Sequence, residues 1–600
     1  MAFLRSLGLT LLLFLSTSGV LAQLDSSSDE SLGAPSGPSV TSRNTTYYNP
    51  ILPGFYPDPS CIFLPSYENT FFCVSSSFNA IPGIPIHASK DLRNWKLVGH
   101  VLNRKEQLPR LAETNRSTSG IWAPTLRYHE KSKTFYVITT LVNDHLPQSD
   151  SSRWDNILFQ SKDLYNPTAW SKATHFTFEG YDPDLYFEGG KTYLTAAHAW
   201  QVDPGIYQTQ IDLDTGKIGE WKLIWEGTGG MAPEGPHIYK KDGWYYLLAA
   251  EGGTGLQHMV TIARSRNVDG PFENNPTNPV LTNANTTSYF QTIGHADLFQ
   301  DGSGNWWSVA LSTRAGPQYL NFPMVRETVL TPVTWKKGEW PVFSKIEGKM
   351  SGWAMPREDR SIRGAGQFVD DGDDIYESFF DSNGNLPAHF TYWRYPIPDY
   401  FTRGPRNILR LRPSSNNLTA LNGNYAGPAG IALVSRRQSH TLFTYSVDVE
   451  WEASKQEEEI GVSAFLTQNH HIDLGVVMLP DSGGKLVPHF RYRGASYIPM
   501  PEPIVTPVPA EWNLSSDDSK AKLKLRLEIK ASNMTHYAFS AGPVGAESLT
   551  KTIAVISNEG VSWGFTGVLL GVYSTSNGGE GNAEAYVSRW GYLPQGQYRD

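Results

Sequence analysis

Cysteine is nearly absent: Cys61 and Cys73 are the only two in a chain of 600 residues. That count excludes a disulfide-rich scaffold, and no Cys or His cluster has the spacing of a zinc site. Long apolar runs are missing too. The stretch from Leu7 to Phe14 is far short of the roughly 20 residues that span a bilayer, and no later segment reaches that length. Positive charge is in deficit, with 50 Lys and Arg against 59 Asp and Glu for a net charge of −9 and no basic patch. This argues against a nucleic-acid partner. Helical apolar periodicity never persists beyond about two turns. The chain has no Walker-type loop, no Rossmann fingerprint and no Gly-X-Ser-X-Gly elbow, so nucleotide-dependent and serine-hydrolase chemistries find no support.

Aromatic residues and chain breakers are abundant. The chain has 18 Trp, 29 Tyr and 27 Phe, with 54 Gly and 40 Pro. From about Tyr47 to Phe343 the pattern is short strands broken by Gly, Pro, Asn and Asp, which predicts an all-β region. After a polar, Gly-rich connector at 351–372, the stretches beginning at Ile408, Leu442, Ile460, Leu523 and Val568 alternate or run apolar like sandwich strands. The length itself calls for more than one domain. The expected organisation is a signal peptide at 1–22, a flexible lead-in at 23–43, a first all-β domain at 44–350, the connector, and a β-sandwich at 373–600. Arg5, the apolar core and Val20-Leu-Ala22 read as a secretory signal. Six sequons follow, at Asn44, Asn115, Asn285, Asn417, Asn513 and Asn533, and predict a secreted, extracellular glycoprotein. In that oxidising compartment Cys61 and Cys73, flanking one predicted turn, are expected to form a disulfide.

One local pattern recurs five times. It starts at Asp58-Pro-Ser-Cys-Ile-Phe, Ala123-Pro-Thr-Leu-Arg-Tyr, Asp182-Pro-Asp-Leu-Tyr-Phe, Glu234-Gly-Pro-His-Ile-Tyr and His295-Ala-Asp-Leu-Phe, at intervals of 52 to 65 residues. Each start is followed by a polar turn and an aromatic-rich run such as Trp244-Tyr-Tyr-Leu. A strand–turn–strand unit at this spacing predicts a radial repeat, most simply a five-bladed β-propeller. Equivalent positions of successive blades meet at one axis, so Asp58, Asp182, Glu234 and His295 are expected to share one site. Two carboxyls in one cleft can be pushed to different pKa values, one serving as base and one as acid, and glycoside hydrolysis uses such a pair. A third carboxylate beside the acid can hold it and raise its pKa. His295 is expected to line the floor, to bond a carboxylate or sugar, or to contact an axial ion.

At these residues the chain resembles glycoside hydrolase family 43, above all its two-domain, secreted fungal-type β-xylosidase and α-L-arabinofuranosidase branch. The resemblance runs from Asn49-Pro-Ile-Leu-Pro-Gly-Phe-Tyr-Pro-Asp-Pro-Ser, through Pro85-Ile-His-Ala-Ser-Lys-Asp-Leu-Arg-Asn-Trp and Gly120-Ile-Trp-Ala-Pro, to Ala250-Glu-Gly-Gly-Thr and Gly294-His-Ala-Asp-Leu. It implies a five-bladed propeller followed by a jelly-roll or concanavalin-like sandwich, and a single-displacement, inverting reaction. By this likeness Asp58 is the general base, Asp182 the pKa modulator and Glu234 the general acid. Phe78, Trp122, Arg326 and Phe565 match substrate-pocket residues, with Phe565 reaching in from the sandwich. Two departures stand out: Asp184 is a second acid beside Asp182, and Val325 stands where Gly is usual before the Arg. No cofactor is required and no metal ligand set is read from the residues, although some relatives hold a structural calcium near the equivalent of His295.

The implied activity is exo-hydrolysis of terminal α-L-arabinofuranosyl or β-1,4-D-xylosyl residues. The expected partner is a plant cell-wall pentose polysaccharide or oligosaccharide, with no nucleic acid and no membrane. The rival readings are an endo-arabinanase and a non-catalytic carbohydrate-binding propeller, the latter having no need for three acids in one repeat.

Overall fold

The computed structural model describes residues 44–517 and 520–600. The expected signal peptide and lead-in lie outside the described residues. Five four-stranded antiparallel blades follow in chain order. Blade 1 comprises Ser60–Leu64, Thr70–Val74, Gly83–Ser89 and Lys96–Leu102, and blade 2 begins with Gly120–His129 and Thr134–Val142. Gly180–Glu188, Glu234–Lys241 and Phe290–Gln300 open blades 3, 4 and 5. The opening strands neighbour one another in a ring, blade 5 closing onto blade 1. The ends are tied by Thr46–Tyr48, which pairs with Lys349–Ser351.

Blade registers follow the aromatic pattern. In blade 1 Cys61 lies directly opposite Cys73, and the two form the expected disulfide. Aromatic and aliphatic side chains fill the spaces between blades; Phe72, Phe135, Ile157 and Trp170 share one such cluster. The segment expected as a connector is pinned to blade 1, where Leu97 N donates to Gln367 O and Val369 N to Trp95 O.

From Asp373 onward two antiparallel sheets, one of eight strands and one of seven, form a sandwich. Ala521–Ala531 shows how the first sheet is specified. Leu523, Leu525, Leu527 and Ile529 are buried while Lys522 and Lys524 are exposed, a period of two with one face wet. Glu459–Thr467 in the second sheet is buried at all nine positions. Its sheet is covered on both faces, by the first sheet on one side and by the propeller on the other. Ala80–Ile81 of the propeller pairs with Tyr392–Trp393, extending that sheet across the boundary between the domains. Phe55, Phe78, Trp393, Phe465 and Leu569 form a shared core at this junction, with Trp122 and Phe565 packed against it.

Candidate active site

The opening strands share a backbone irregularity that builds the site. Asp58, Ala123, Asp182, Gly235 and His295 all adopt positive φ, at 53°, 34°, 54°, 57° and 49°. In blades 2 to 5 each of these residues sits in a register shift of its strand pair. Left-handed backbone is costly for residues other than glycine and clusters where geometry is functional. The structure therefore corrects the phase of the repeat. Gly235, not Glu234, is the equivalent of Asp58 and Asp182, and Glu234 stands one residue ahead, in phase with Trp122 and Tyr181. Successive side chains of a strand point to opposite faces. The Glu234 side chain is 15% exposed, against 6% for Asp58 and Asp182. Two carboxylates thus form the floor, and the third carboxyl projects from the wall.

All three acids line one cavity of about 730 Å³, together with Phe78, Trp122, Tyr181, His295, Arg326 and Phe565. Every sequence-predicted site residue of the propeller is brought together there, and the sandwich contributes Phe565. The Phe565 ring stacks on Phe78 (centroids 5.9 Å, 26°) and meets Trp122 edge-on. Its carbonyl accepts from Arg326 Nε at 3.2 Å. Val325, one residue before, has φ of 50° and is buried, which accounts for the glycine usual at that position in the family.

The carboxyls sit in different electrostatic surroundings. Burial pushes the Asp58 pKa up, but the Arg326 guanidinium (Nη1 to Oδ1, 3.1 Å), His295 while it is protonated in acid, and the Ser76 hydroxyl (2.5 Å to Oδ2) more than offset it. The net direction is down, so Asp58 is ionised. Burial also raises Glu234, and the Asp58 charge raises it further. The Tyr181 hydroxyl, donating at 3.2 Å, and Arg326 act the other way, and the result is about 7. Asp182 is raised by burial and by the charges of Glu234 and Asp58, against the bond from the Gly235 N–H at 3.0 Å and the Arg326 charge. One cavity therefore holds an ionised carboxylate beside a carboxyl protonated up to near neutrality.

His295 lies 3.9 Å from both Asp58 and Asp182, too far for a hydrogen bond to either. Burial lowers its pKa to about 4, so it is a neutral part of the floor. Its ring lies under Gly235, where an added Cβ would come within 3.1 Å of Cε1. Asp184 does not line the cavity. It belongs to a lower ring two residues further along each opening strand, formed by Ser60, Thr125, Asp184, His237 and Asp297. Arg127 clamps this ring, with Nε 2.9 Å from Asp184, Nη1 donating to Asp297 at 3.0 Å and Nη2 to His237 Nδ1 at 3.0 Å. The residues present do not fit an axial calcium. The acids around His295 are the two floor carboxylates, and the axial acids below them are taken by Arg127. Among the described residues no group of three or more His, Cys, Asp or Glu side chains could hold a metal ion.

Sequence reasoning missed Ser76, Tyr181, His258 and Thr254. Tyr181 was legible, since it precedes Asp182 as Trp122 precedes Ala123. His258 was not, because it enters from a loop of blade 4. Its Nδ1 donates to Thr292 O at 2.9 Å, and Nε2 stands 3.9 Å from Glu234. Thr254 accepts from Arg326 Nη1 at 3.1 Å.

The chain matches the model of glycosyl hydrolases family 43 over residues 47–341 and that of the β-xylosidase C-terminal concanavalin A-like domain over 378–592. It is 32% identical to a non-reducing end α-L-arabinofuranosidase of Bacteroides ovatus over 90% of this chain and 93% of that protein. It is 30% identical to a xylosidase/arabinosidase of Humicola insolens, covering 91% and 97%. Among solved structures, a xylan β-1,4-xylosidase from Bacillus halodurans superposes with a TM-score of 0.76 at 25% identity, covering 91% of this chain and all of that one. A three-acid floor and wall on a five-bladed propeller, closed by a sandwich aromatic, accords with these likenesses: the chain belongs to glycosyl hydrolase family 43 and is a glycoside hydrolase.

Proposed function

We propose that the protein is an exo-acting pentosidase that removes terminal α-L-arabinofuranosyl or β-1,4-D-xylosyl residues from arabinoxylan, xylan and their oligosaccharides, with inversion. The observation that carries this reading is the split between Asp58 and Glu234 inside one cavity. In the proposed reaction Asp58 takes a proton from water as that water attacks the anomeric carbon. Glu234 delivers its proton to the departing glycosidic oxygen in the same step. Asp182, held by the Gly235 N–H and itself raised by burial and by the charges of Glu234 and Asp58, shares with Glu234 a preference for the protonated form. The ionised Asp58 is the charge that raises Glu234. Arg326, beside the stacked Phe78 and Phe565 rings, keeps Asp58 ionised and presents donors to sugar hydroxyls.

Exo action is supported by Phe565, which the sandwich places in the cavity lining against Phe78 and Trp122, where it obstructs a chain crossing the propeller face. The pentose assignment is supported by the names of the relatives, which include arabinofuranosidase, xylosidase/arabinosidase and β-xylosidase. The test is chromatography of products from xylo-oligosaccharides and arabinoxylan. Free arabinose or xylose from the first time point is expected; release of neither sinks the proposal, and early oligosaccharides indicate an endo enzyme instead. We also propose that the protein is exported and glycosylated. The disulfide and the exposure of Asn44, Asn285 and Asn533 support this, and mass spectrometry of the protein recovered from culture medium checks it.

A further inference from the structure

A second cavity, of about 770 Å³, abuts the first and shares Arg116, Asp144, Thr254 and Phe565 with it. It lies between propeller loops and the sandwich, and nothing in the hydrolytic reading uses it. Both cavities have the size of ligand pockets, about 300 to 1,000 Å³.

Its sandwich side is an ordered aromatic group. Trp563 stacks on His470 with centroids 4.5 Å apart and planes 12° apart. Tyr497 meets both edge-on, at 4.4 Å and 5.2 Å. Asn469 Nδ2 donates to the Tyr497 hydroxyl at 3.1 Å. Despite this anchoring Tyr497 is 63% exposed, and Leu320 on the propeller side is 49% exposed. Fixed aromatic rings left in water mark a recognition surface, because little entropy is lost when a ligand covers them. The buried His470 Nε2 finds no protein partner. Charge is low: Arg116 Nη1 lies 3.4 Å from Asp144, which leaves Glu559 as the remaining carboxylate of the lining. Aromatic faces with scattered hydroxyls, amides and little net charge suit neutral sugar rings, whose C–H faces stack and whose hydroxyls bond at the edges.

Direction follows from the first cavity. Asp58, Asp182 and His295 are buried at its floor, so the sugar to be released sits over them and whatever is still attached to it extends away from the floor. The second cavity adjoins the first along Arg116, Asp144, Thr254 and Phe565. We infer that the second cavity is a leaving-group subsite that holds the uncharged glycan chain from which the terminal pentose is cut, with Trp563 and Tyr497 as its stacking platforms. This rests on the proposed exo-pentosidase reading. Phe565 then serves both sides, as wall for the released sugar and as threshold for the chain.

The test compares two substrates in each variant: an aryl pentoside, which fills only the first cavity, and an arabinose-substituted xylo-oligosaccharide, which reaches the second. Truncating an aromatic residue that anchors a ligand in a packed site costs about 1.4 kcal/mol or more, a loss of tenfold or greater. Tyr497→Ala and Trp563→Ala are each expected to lower the ratio of kcat/KM on the oligosaccharide to kcat/KM on the aryl pentoside by about tenfold. An unchanged ratio overturns the subsite, whether both values hold steady or fall in parallel. Tyr497 is exposed, so its variant carries the test if the Trp563 variant misfolds. Wild-type protein inactive on both substrates defeats the exo-pentosidase reading instead. In that event calorimetric titration of the oligosaccharide into Asp58→Asn and Asp58→Asn/Tyr497→Ala decides the subsite. Binding about tenfold weaker in the double variant upholds it, and equal binding or none overturns it.

Discussion

Replacing Arg326 with Gln moves both limbs of the pH–rate profile in the same direction. The guanidinium lies 3.1 Å from Asp58 Oδ1, and both side chains are at least nine-tenths buried. An opposite charge this close lowers a carboxyl pKa by about 1 to 3 pH units. Its removal raises Asp58 by about that amount, and the acid limb of kcat/KM moves up with it. Arg326 also lowers Glu234, though as the smallest of the contributions to that group, so the basic limb near 7 moves up by less. The bell therefore shifts to higher pH and narrows. Stability follows the same linkage. The depressed Asp58 pKa contributes stability above the unfolded value, which is lost as pH falls through the folded value; the variant lacks that contribution. The assay is initial rates on an aryl pentoside from acid to mildly alkaline pH, with calorimetric midpoints as a folding control. A drop in rate with the acid limb unmoved refutes the argument, because Arg326 would then act on sugar hydroxyls alone.

Glu234→Gln removes the proton donor, so it is expected to slow substrates with alcohol leaving groups by about a hundredfold or more while sparing aryl pentosides of acidic phenols; equal losses on both contradict the acid role. Arg127→Met leaves Asp184 and Asp297 buried without their cation, and loss of one partner of such a pair costs about 3 to 5 kcal/mol. Denaturant unfolding measures this cost, and an unchanged midpoint contradicts the clamp. Reducing Cys61–Cys73 opens a crosslink spanning 12 residues and costs about 3 kcal/mol, read as a lower calorimetric midpoint with and without reductant.

The fold was largely legible because propeller blades announce themselves through recurring turns and aromatic runs, and Ala521–Ala531 through strict alternation. Site membership was legible for Asp58 and Asp182, since both stand before proline at a repeat start. Glu234 was found but put in the wrong phase: the Gly-Pro after it, not the acid, is the repeated element, and a one-residue offset is invisible until the strand register is known. The Arg127 clamp went unseen because its partners, Asp184, His237 and Asp297, come from three blades and nothing in the sequence pairs them with an Arg of a fourth. Phe565 could be matched only by likeness, as the docking of the sandwich that delivers it depends on the junction packing of Phe55, Trp393 and Phe465.

The central claim is that Asp58 and Glu234 act in one displacement across the cavity floor and wall. Proton NMR of the first-formed sugar, recorded before mutarotation, tests it most directly. The account predicts the opposite anomer to that of the substrate, α-xylose from a β-xyloside or β-arabinofuranose from an α-arabinofuranoside. First appearance of the same anomer as the substrate would mean a covalent intermediate and contradict the assignment of Asp58 as a base.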